Sequence, residues 1–188
     1  KEEQRSPFLF VAGSSIFVED KMVGILDEKQ TRGVLWVSDR VTDGVVALDF
    51  DGIAVSLEVI NSKGSFTAEY SDGKIKVKSK VEATLSLGEY QGQGQFDTEK
   101  VKMLEKICEE EIKKEINEGF EKIREKSADV LGIGNYFYRF KHKQWQKIQE
   151  DFLEMYKNAN MEIEVDAQII RTGSLLKPID ANSGGKNE

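Results

Sequence analysis

The chain has 188 residues and carries 27 basic against 34 acidic side chains, for a formal net charge of −7. This length is enough to bury a core, whereas the acidic balance argues against a nucleic-acid-binding protein and disfavours partners with acidic surfaces or anionic lipids. No apolar run approaches the ~20 residues of a membrane-spanning helix, and the single cysteine, Cys108, excludes an intrachain disulfide.

The N-terminal part of the chain predicts extended segments followed by a short helix. Three segments have the composition of strands: residues 8–11, 15–18 and 22–26. Asp27 then stands where a helix N-cap is expected, and Gln30 three residues later completes a capping box. We therefore predict a helix over residues 28–36 that carries Trp36 into the core.

The next part of the chain predicts a series of hairpins. Four strands are expected, over residues 44–50, 53–60, 65–70 and 74–87. Asp51-Gly52 and Asp72-Gly73 are strong signals for tight turns between such strands. In the last strand apolar residues alternate with charged ones, mostly lysines, so that one face packs and the other lies in water.

The longest predicted element is a helix over residues 98–126, capped by Asp97 or Thr98. Its apolar residues recur every three or four positions on one stripe: Val101, Leu104, Ile107, Cys108, Ile112, Ile116, Phe120 and Ile123. Because most other positions are Glu or Lys, we expect this helix to lie across the sheet with its apolar stripe facing the strands.

The C-terminal part predicts three more elements. They are helices over residues 129–139 and 144–156 and a strand over residues 161–171, which again alternates. We expect this last strand to lie beside residues 74–87, because its acidic face would then meet a row of lysines, with Glu164 near Lys78.

The order of elements predicts an α+β fold. Strands come first, helices later and one strand last, which is typical of an antiparallel β-sheet with the long amphipathic helix and further helices packed on one face. Residues 1–173 are expected to form a single domain. The polar, glycine-containing residues 174–188 are expected to be a flexible tail.

No residue pattern predicts a catalytic, cofactor or metal site. His142 is the only histidine, which excludes a catalytic triad and a two-histidine metal site. Cys108 falls on the apolar stripe and is expected to be a small buried hydrophobe. The acidic run 109–111 lacks a calcium-loop pattern. The Gly-x-Gly pairs at 92–94 and 132–134 lack the context of a phosphate loop.

One cluster mixes aromatic and basic residues. It comprises Phe137, Tyr138, Phe140 and Trp145 together with Arg139, Lys141 and Lys143. Such a cluster is typical of core packing with a charged rim, and it is also found in protein-binding hot spots. Stacking on nucleic acid bases is the third reading, and the net charge argues against it.

Three segments together carry a resemblance to a known family. They are residues 24–36, residues 128–134 continuing through Phe137 and Arg139 to Trp145, and residues 170–173. In order and spacing they resemble the C-terminal domain of the C subunits of spore germination receptors, the GerAC-like lipoproteins. The chain departs from the usual family pattern at Ile133, Tyr138 and Ile170.

The resemblance implies a non-enzymatic subunit of a nutrient germinant receptor. Members of this family are lipid-anchored on the outer face of the spore inner membrane and assemble with two polytopic membrane subunits. The lipid-bearing cysteine and two preceding domains would then lie upstream of Lys1. The resemblance implies no cofactor and no metal. Two alternatives stay open, a small-molecule (germinant) binding module and a generic extracytoplasmic scaffold domain.

Two sets of residues follow as candidates. The candidate partner contacts are Phe137, Tyr138, Arg139, Trp145 and Arg171. The candidate structural residues of the motifs are Gly24, Gly33, Trp36, Gly132, Gly134 and Gly173. Among these, we expect Gly24 and Gly33 to permit close backbone approach and Trp36 to anchor the short helix.

Overall fold

Residues 12–90 and 97–170 are described by a computed structural model, in which helices cover one side of a four-stranded sheet. The elements in chain order are β1 (Ser14–Val18), β2 (Lys21–Leu26), α1 (Glu28–Val37), β3 (Val45–Phe50), β4 (Ile53–Ser71), β5 (Lys74–Tyr90), α2 (Thr98–Glu125), α3 (Ile133–Phe140), α4 (His142–Ile148), α5 (Phe152–Lys157) and β6 (Asn160–Ile170). Within these residues the fold is α+β, as expected. The segments expected at residues 8–11 and 174–188 lie outside the described residues.

Side-chain caps begin the two principal helices where the sequence places them. The carboxylate of Asp27 accepts from the backbone N–H of Gln30 at 2.8 Å, and the Gln30 side chain accepts from the Asp27 N–H at 3.1 Å. Asp97 accepts from the N–H of Lys100 at 2.8 Å at the start of α2. Each cap satisfies N–H groups that have no partner within the helix, so both predicted starts are confirmed.

Two tight turns build the centre of the sheet. Asp51 and Gly52 both have positive φ angles, as do Asp72 and Gly73, which is the geometry of the two-residue hairpin turn. They join β3 to β4 and β4 to β5 in antiparallel register. The strands predicted over 53–60 and 65–70 are one continuous strand, β4, with two register irregularities that keep it paired to β5.

The final strand corrects one part of the predicted sheet. β6 lies beside β5, as expected, but pairs with it in parallel, so the sheet is mixed rather than antiparallel. The connection from β5 to β6 contains α2 and three short helices, and such a long crossover lets the chain re-enter in the same direction. The register places Lys78 opposite Glu162, with 3.3 Å between Nζ and Oε2, whereas Glu164 is opposite Lys80.

The helices after α2 are shorter than the sequence predicts. The helix expected from residue 129 begins only at Ile133, because Gly132 has φ +75° and ends the preceding turn. The helix expected over 144–156 is divided into α4 and α5, with Asp151 preceding the second. Asp favours turns and helix starts over helix interiors, which accounts for the break.

The core lies between the sheet and the helices. One cluster packs α1 and the first half of α2 on β3 to β6, and the other joins β1, β2 and the short helices to the turn end of β4 and β5. The opposite face of the sheet is exposed, since charged and polar residues alternate with the buried ones along β5 and β6. The predicted packing of helices on one face is therefore confirmed.

Helices α1 and α2 approach so closely that glycine is required at their crossing. A Cβ atom on Gly33 would lie 1.9 Å from the carbonyl oxygen of Glu115. On the other helix, a Cβ on Gly119 would lie 2.5 Å from the carbonyl oxygen of Gln30. The expectation of close backbone approach at Gly33 is confirmed. Gly24 instead faces the flexible side chain of Lys126 at 3.3 Å.

These contacts predict that Gly33 and Gly24 differ in how well they tolerate substitution by alanine. Gly33→Ala should lower the free energy of unfolding by about 3 kcal/mol or more, because the methyl group meets backbone that cannot move aside. Gly24→Ala should change it by less than about 1 kcal/mol, because Lys126 can rotate away. Urea unfolding of both variants measures this, and equal losses would contradict the close approach at Gly33.

Candidate functional site

A buried polar cluster lies where α1 crosses α2. The side chain of Glu115 is fully buried, and Arg32 donates to it from Nε at 2.9 Å and also from Nη2. Trp36 donates its indole N–H to the same carboxylate at 3.2 Å, and Arg32 further donates to the Val45 carbonyl at 2.7 Å. The hydrogen-bonded carboxylate raises the pKa of the Arg32 guanidinium above its usual value. Residues 32 and 36 of the first family segment are thus bound by an acid 79 residues away from Trp36, and no sequence pattern marks Glu115.

Residues 128–134, in the second segment that carries the family resemblance, lead into the start of helix α3. The carboxylate of Asp129 accepts from the backbone N–H groups of Ile133 and Gly134, both at 2.7 Å. Burial raises the pKa of Asp129 above its usual value, and the backbone N–H groups oppose that rise. A Cβ on Gly134 would press on the Phe152 ring at 3.2 Å. The positive φ of Gly132 and the small size of Gly134 are thus compatible with the hydrogen bonds from Asp129 at the start of α3.

The aromatic cluster divides into buried and exposed members. Phe137 is fully buried, so its side chain is not available to a partner, contrary to the prediction. Trp145 is half-buried and packs against Phe152 with 5.5 Å between ring centroids. Tyr138 is 60% exposed and Arg139 is also exposed, so these two remain candidate contacts. Arg171 and Gly173 lie outside the described residues.

A cleft of about 790 Å³ opens beside this cluster. It is bordered by β1, α1, the middle of β4 and α3, and its apolar lining includes Ile16, Phe17, Leu35, Phe66, Val130, Leu131, Tyr136 and Phe140. Three of these, Phe17, Val130 and Phe140, are 58%, 49% and 63% exposed. The hydroxyl oxygen of Thr31, another lining residue, is buried and has no hydrogen-bond partner within residues 12–90 and 97–170. No sequence signal marks this cleft, because its lining comes from four separate segments.

The groups that could act as nucleophile or metal ligand are poorly placed for either role. Cys108 is fully buried, and burial raises the pKa of its thiol to about 12, so it is not a thiolate at neutral pH. His142 is exposed at the start of α4. Within residues 12–90 and 97–170, no three His, Cys, Asp or Glu side chains converge as metal ligands.

Across the same two ranges, every helix is too short or too polar to cross a membrane.

Residues 12–173 match the family described as "Spore germination B3/GerAC like, C-terminal". The chain is 26% identical over 159 residues to spore germination protein KC of Bacillus subtilis (strain 168), and 24% identical over 160 residues to spore germination protein YndF of the same organism. Each comparison covers 82% of this chain and 39% of the relative, so the chain spans well under half the length of either protein.

The fold is similar to that in the crystal structure of the GerBC protein. The TM-score is 0.75 at 22% identity, covering 85% of this chain and 51% of that chain. At this identity the likeness bears on the fold alone.

Removal of Arg32 should destabilise the fold strongly. Arg32→Ala leaves the fully buried Glu115 carboxylate without its cation, and breaking such a pair costs about 3–5 kcal/mol. Lys29→Ala is the matched control, because the Lys29–Glu111 pair lies at the surface of the same helix pair and should contribute less than about 1 kcal/mol. Equal losses in urea unfolding would mean that the buried cluster does not hold the helices together.

The thiol of Cys108 should be inert in the folded protein. An aromatic disulfide reagent at pH 8 should leave it unmodified for an hour and should modify it fully in denaturant, because both burial and its raised pKa suppress attack. Met103→Cys provides the control, since residue 103 is 59% exposed on the same helix and should react at once. Rapid reaction of Cys108 in the native state would show that α2 opens readily from the sheet.

Proposed function

Because this chain belongs to the spore germination B3/GerAC-like family of C-terminal domains, we propose that it is part of a non-enzymatic subunit of a nutrient germinant receptor. In this proposal the domain acts by protein–protein contact with the two polytopic membrane subunits of the receptor. A lipid anchor upstream of the chain would hold the parent protein at the outer face of the spore inner membrane. The observation that carries the proposal is the family match over residues 12–173.

The relatives support a role in germination without specifying this domain's part in it. Two of them are named as spore germination proteins, but the chain spans only 39% of each. In this proposal the receptor role is that of the whole polypeptide. What this domain contributes has to be argued from its own surface.

We place the subunit contact at the rim of the cleft, formed by Phe17, Val130 and Phe140. Single exposed apolar side chains are ordinary, whereas several around one concavity are typical of an interaction surface. A side chain of a membrane subunit inserted between them would lose water on all sides, which is the environment of a binding hot spot. Tyr138 and Arg139 stay candidate contacts beside this rim, and the Arg139 guanidinium lies 5.2 Å from the Phe140 ring centre.

The cleft favours a protein partner over a free nutrient. Small-molecule sites enclose most of their ligand's surface, whereas the rim residues of this cleft are about half exposed. A germinant-binding module remains the alternative, and the feature that favours it is the buried hydroxyl of Thr31, which has no hydrogen-bond partner among the described residues. A rise in melting temperature with a nutrient would support that alternative.

Two exposed substitutions test the proposed contact. Phe17→Asp combined with Phe140→Asp, introduced into the parent gene with redundant receptors removed, should abolish germination by nutrients and spare germination by a receptor-independent agent. Both side chains are largely exposed, so the melting temperature of the domain should change by only a few degrees.

The matched control places the same charges on the other side of the sheet. Val45→Asp with Ile60→Asp changes two residues that are 50% and 51% exposed on the solvent face. This variant should germinate normally. Normal germination of the Phe17/Phe140 variant, or equal loss in both variants at normal protein level, would overturn the cleft rim as the subunit contact.

A further inference from the structure

A basic corner stands out on a chain that is acidic as a whole. Between residues 139 and 147 there are four permanent cations, Arg139, Lys141, Lys143 and Lys147, and no Asp or Glu. The remainder of the chain is correspondingly more acidic than the overall net charge of −7. The prediction from net charge, that acidic and anionic partners are disfavoured, therefore does not describe this part of the surface.

The four cations are presented to solvent by the junction of two short helices. α3 ends at Phe140 and α4 begins at His142, so the chain turns at Lys141. All four side chains are exposed. Within residues 12–90 and 97–170 none of them forms an ion pair with a carboxylate, although other lysines do so on α2, α5 and β5. Among the described residues, therefore, no carboxylate lies within ion-pairing distance of these four cations.

An aromatic side chain accompanies these cations. Tyr138 is 60% exposed, and its ring lies 6.2 Å from that of His142 in an edge-on arrangement. Tyr places an apolar ring and a polar hydroxyl on the same surface, which is the combination enriched at the boundary of a bilayer. The inner residues Phe137 and Ile148 are fully buried, so the corner is anchored to the core while its outer side chains are exposed.

We propose that this basic corner, defined by Tyr138, Arg139, Lys141, Lys143 and Lys147, binds the surface of a bilayer that contains anionic phospholipids. Three of its four cations are lysines, and Lys is depleted in protein–protein interfaces, whereas clusters of Lys and Arg are the usual means of holding a protein against anionic headgroups. The acidic remainder of the chain would be repelled by the same surface. The domain would consequently lie with the corner toward the bilayer.

This inference goes beyond the proposed function, because it concerns the lipid surface and requires no receptor subunit. Tyr138 and Arg139 border both surfaces, but the inference rests on Lys141, Lys143 and Lys147, which the proposed subunit contact does not use. A failure of vesicle binding would leave the subunit contact untouched, and a failure of the germination experiment would leave lipid binding untouched.

Co-sedimentation of the 188-residue chain with vesicles tests the inference. The protein should co-sediment with vesicles of phosphatidylcholine that contain about a third phosphatidylglycerol, and it should stay in solution with vesicles of pure phosphatidylcholine. Raising the salt from about 50 mM to about 500 mM should reduce the bound fraction about fivefold or more, because the Debye length shortens.

Charge reversal identifies the surface. Lys141→Glu with Lys143→Glu should remove vesicle binding. Lys102→Glu with Lys106→Glu changes the net charge by the same amount on exposed positions of α2 and should bind within about twofold of the unmodified chain. Circular dichroism and the melting temperature establish that both variants are folded.

Three outcomes would overturn the inference. One is an unmodified chain that stays in solution with anionic vesicles at low salt. Another is an equal loss of binding in both double variants, since net charge rather than the corner would then decide it. The third is capture by soluble polyglutamate with no capture by anionic vesicles, which would assign the corner to an acidic protein.

Discussion

The contact between Glu115 and the pair Arg32 and Trp36 is the constraint on which the rest of the structure depends. A fully buried carboxylate is tolerated only where its charge and its lone pairs are matched, and here a guanidinium and an indole N–H match them. Since Gly33 lies against the Glu115 backbone, α1 can approach α2 in only one way. Rotation of either helix would leave the acid unpaired, so the cluster specifies the crossing as well as stabilising it.

That crossing places the remaining elements. Because α1 is held by α2, its C-terminal end lies over β4, where Gly64 admits the Trp36 carbonyl to within 1.8 Å of a would-be Cβ. Along α2, Glu109 and Glu105 accept from the backbone N–H groups of Ala167 and Ile169 on the outer strand β6. These bonds satisfy part of an edge that would otherwise present free donors to another chain. The cleft is the space that this arrangement leaves between β1, α1, the middle of β4 and α3.

Helices α3 and α4 pack on the core with one side and face the solvent with the other. Phe137 and Ile148 anchor α3 and α4, so the exposed Tyr138 and the neighbouring lysines are carried on a rigid support. A receptor subunit at a membrane needs both a contact for its protein partners and an orientation relative to the lipid. In our proposals the cleft rim supplies the first and the basic corner the second, and the acidic remainder of the surface keeps the domain from binding lipid in other orientations.

The sequence alone determined the local structure, because local structure depends on neighbouring residues. Asp27 with Gln30, the Asp-Gly turns and the apolar stripe of α2 each act over a few positions, and all were confirmed. Only the tertiary structure decided what depends on distant segments. The direction of β6, the pairing of Lys78 with Glu162, the buried role of Glu115 and the four-walled cleft belong to this group. Apolar and polar residues alternate along a strand in the same way whether its neighbour is parallel or antiparallel. A glutamate on a charged helix looks exposed in the sequence, because only the packing of a second helix buries it.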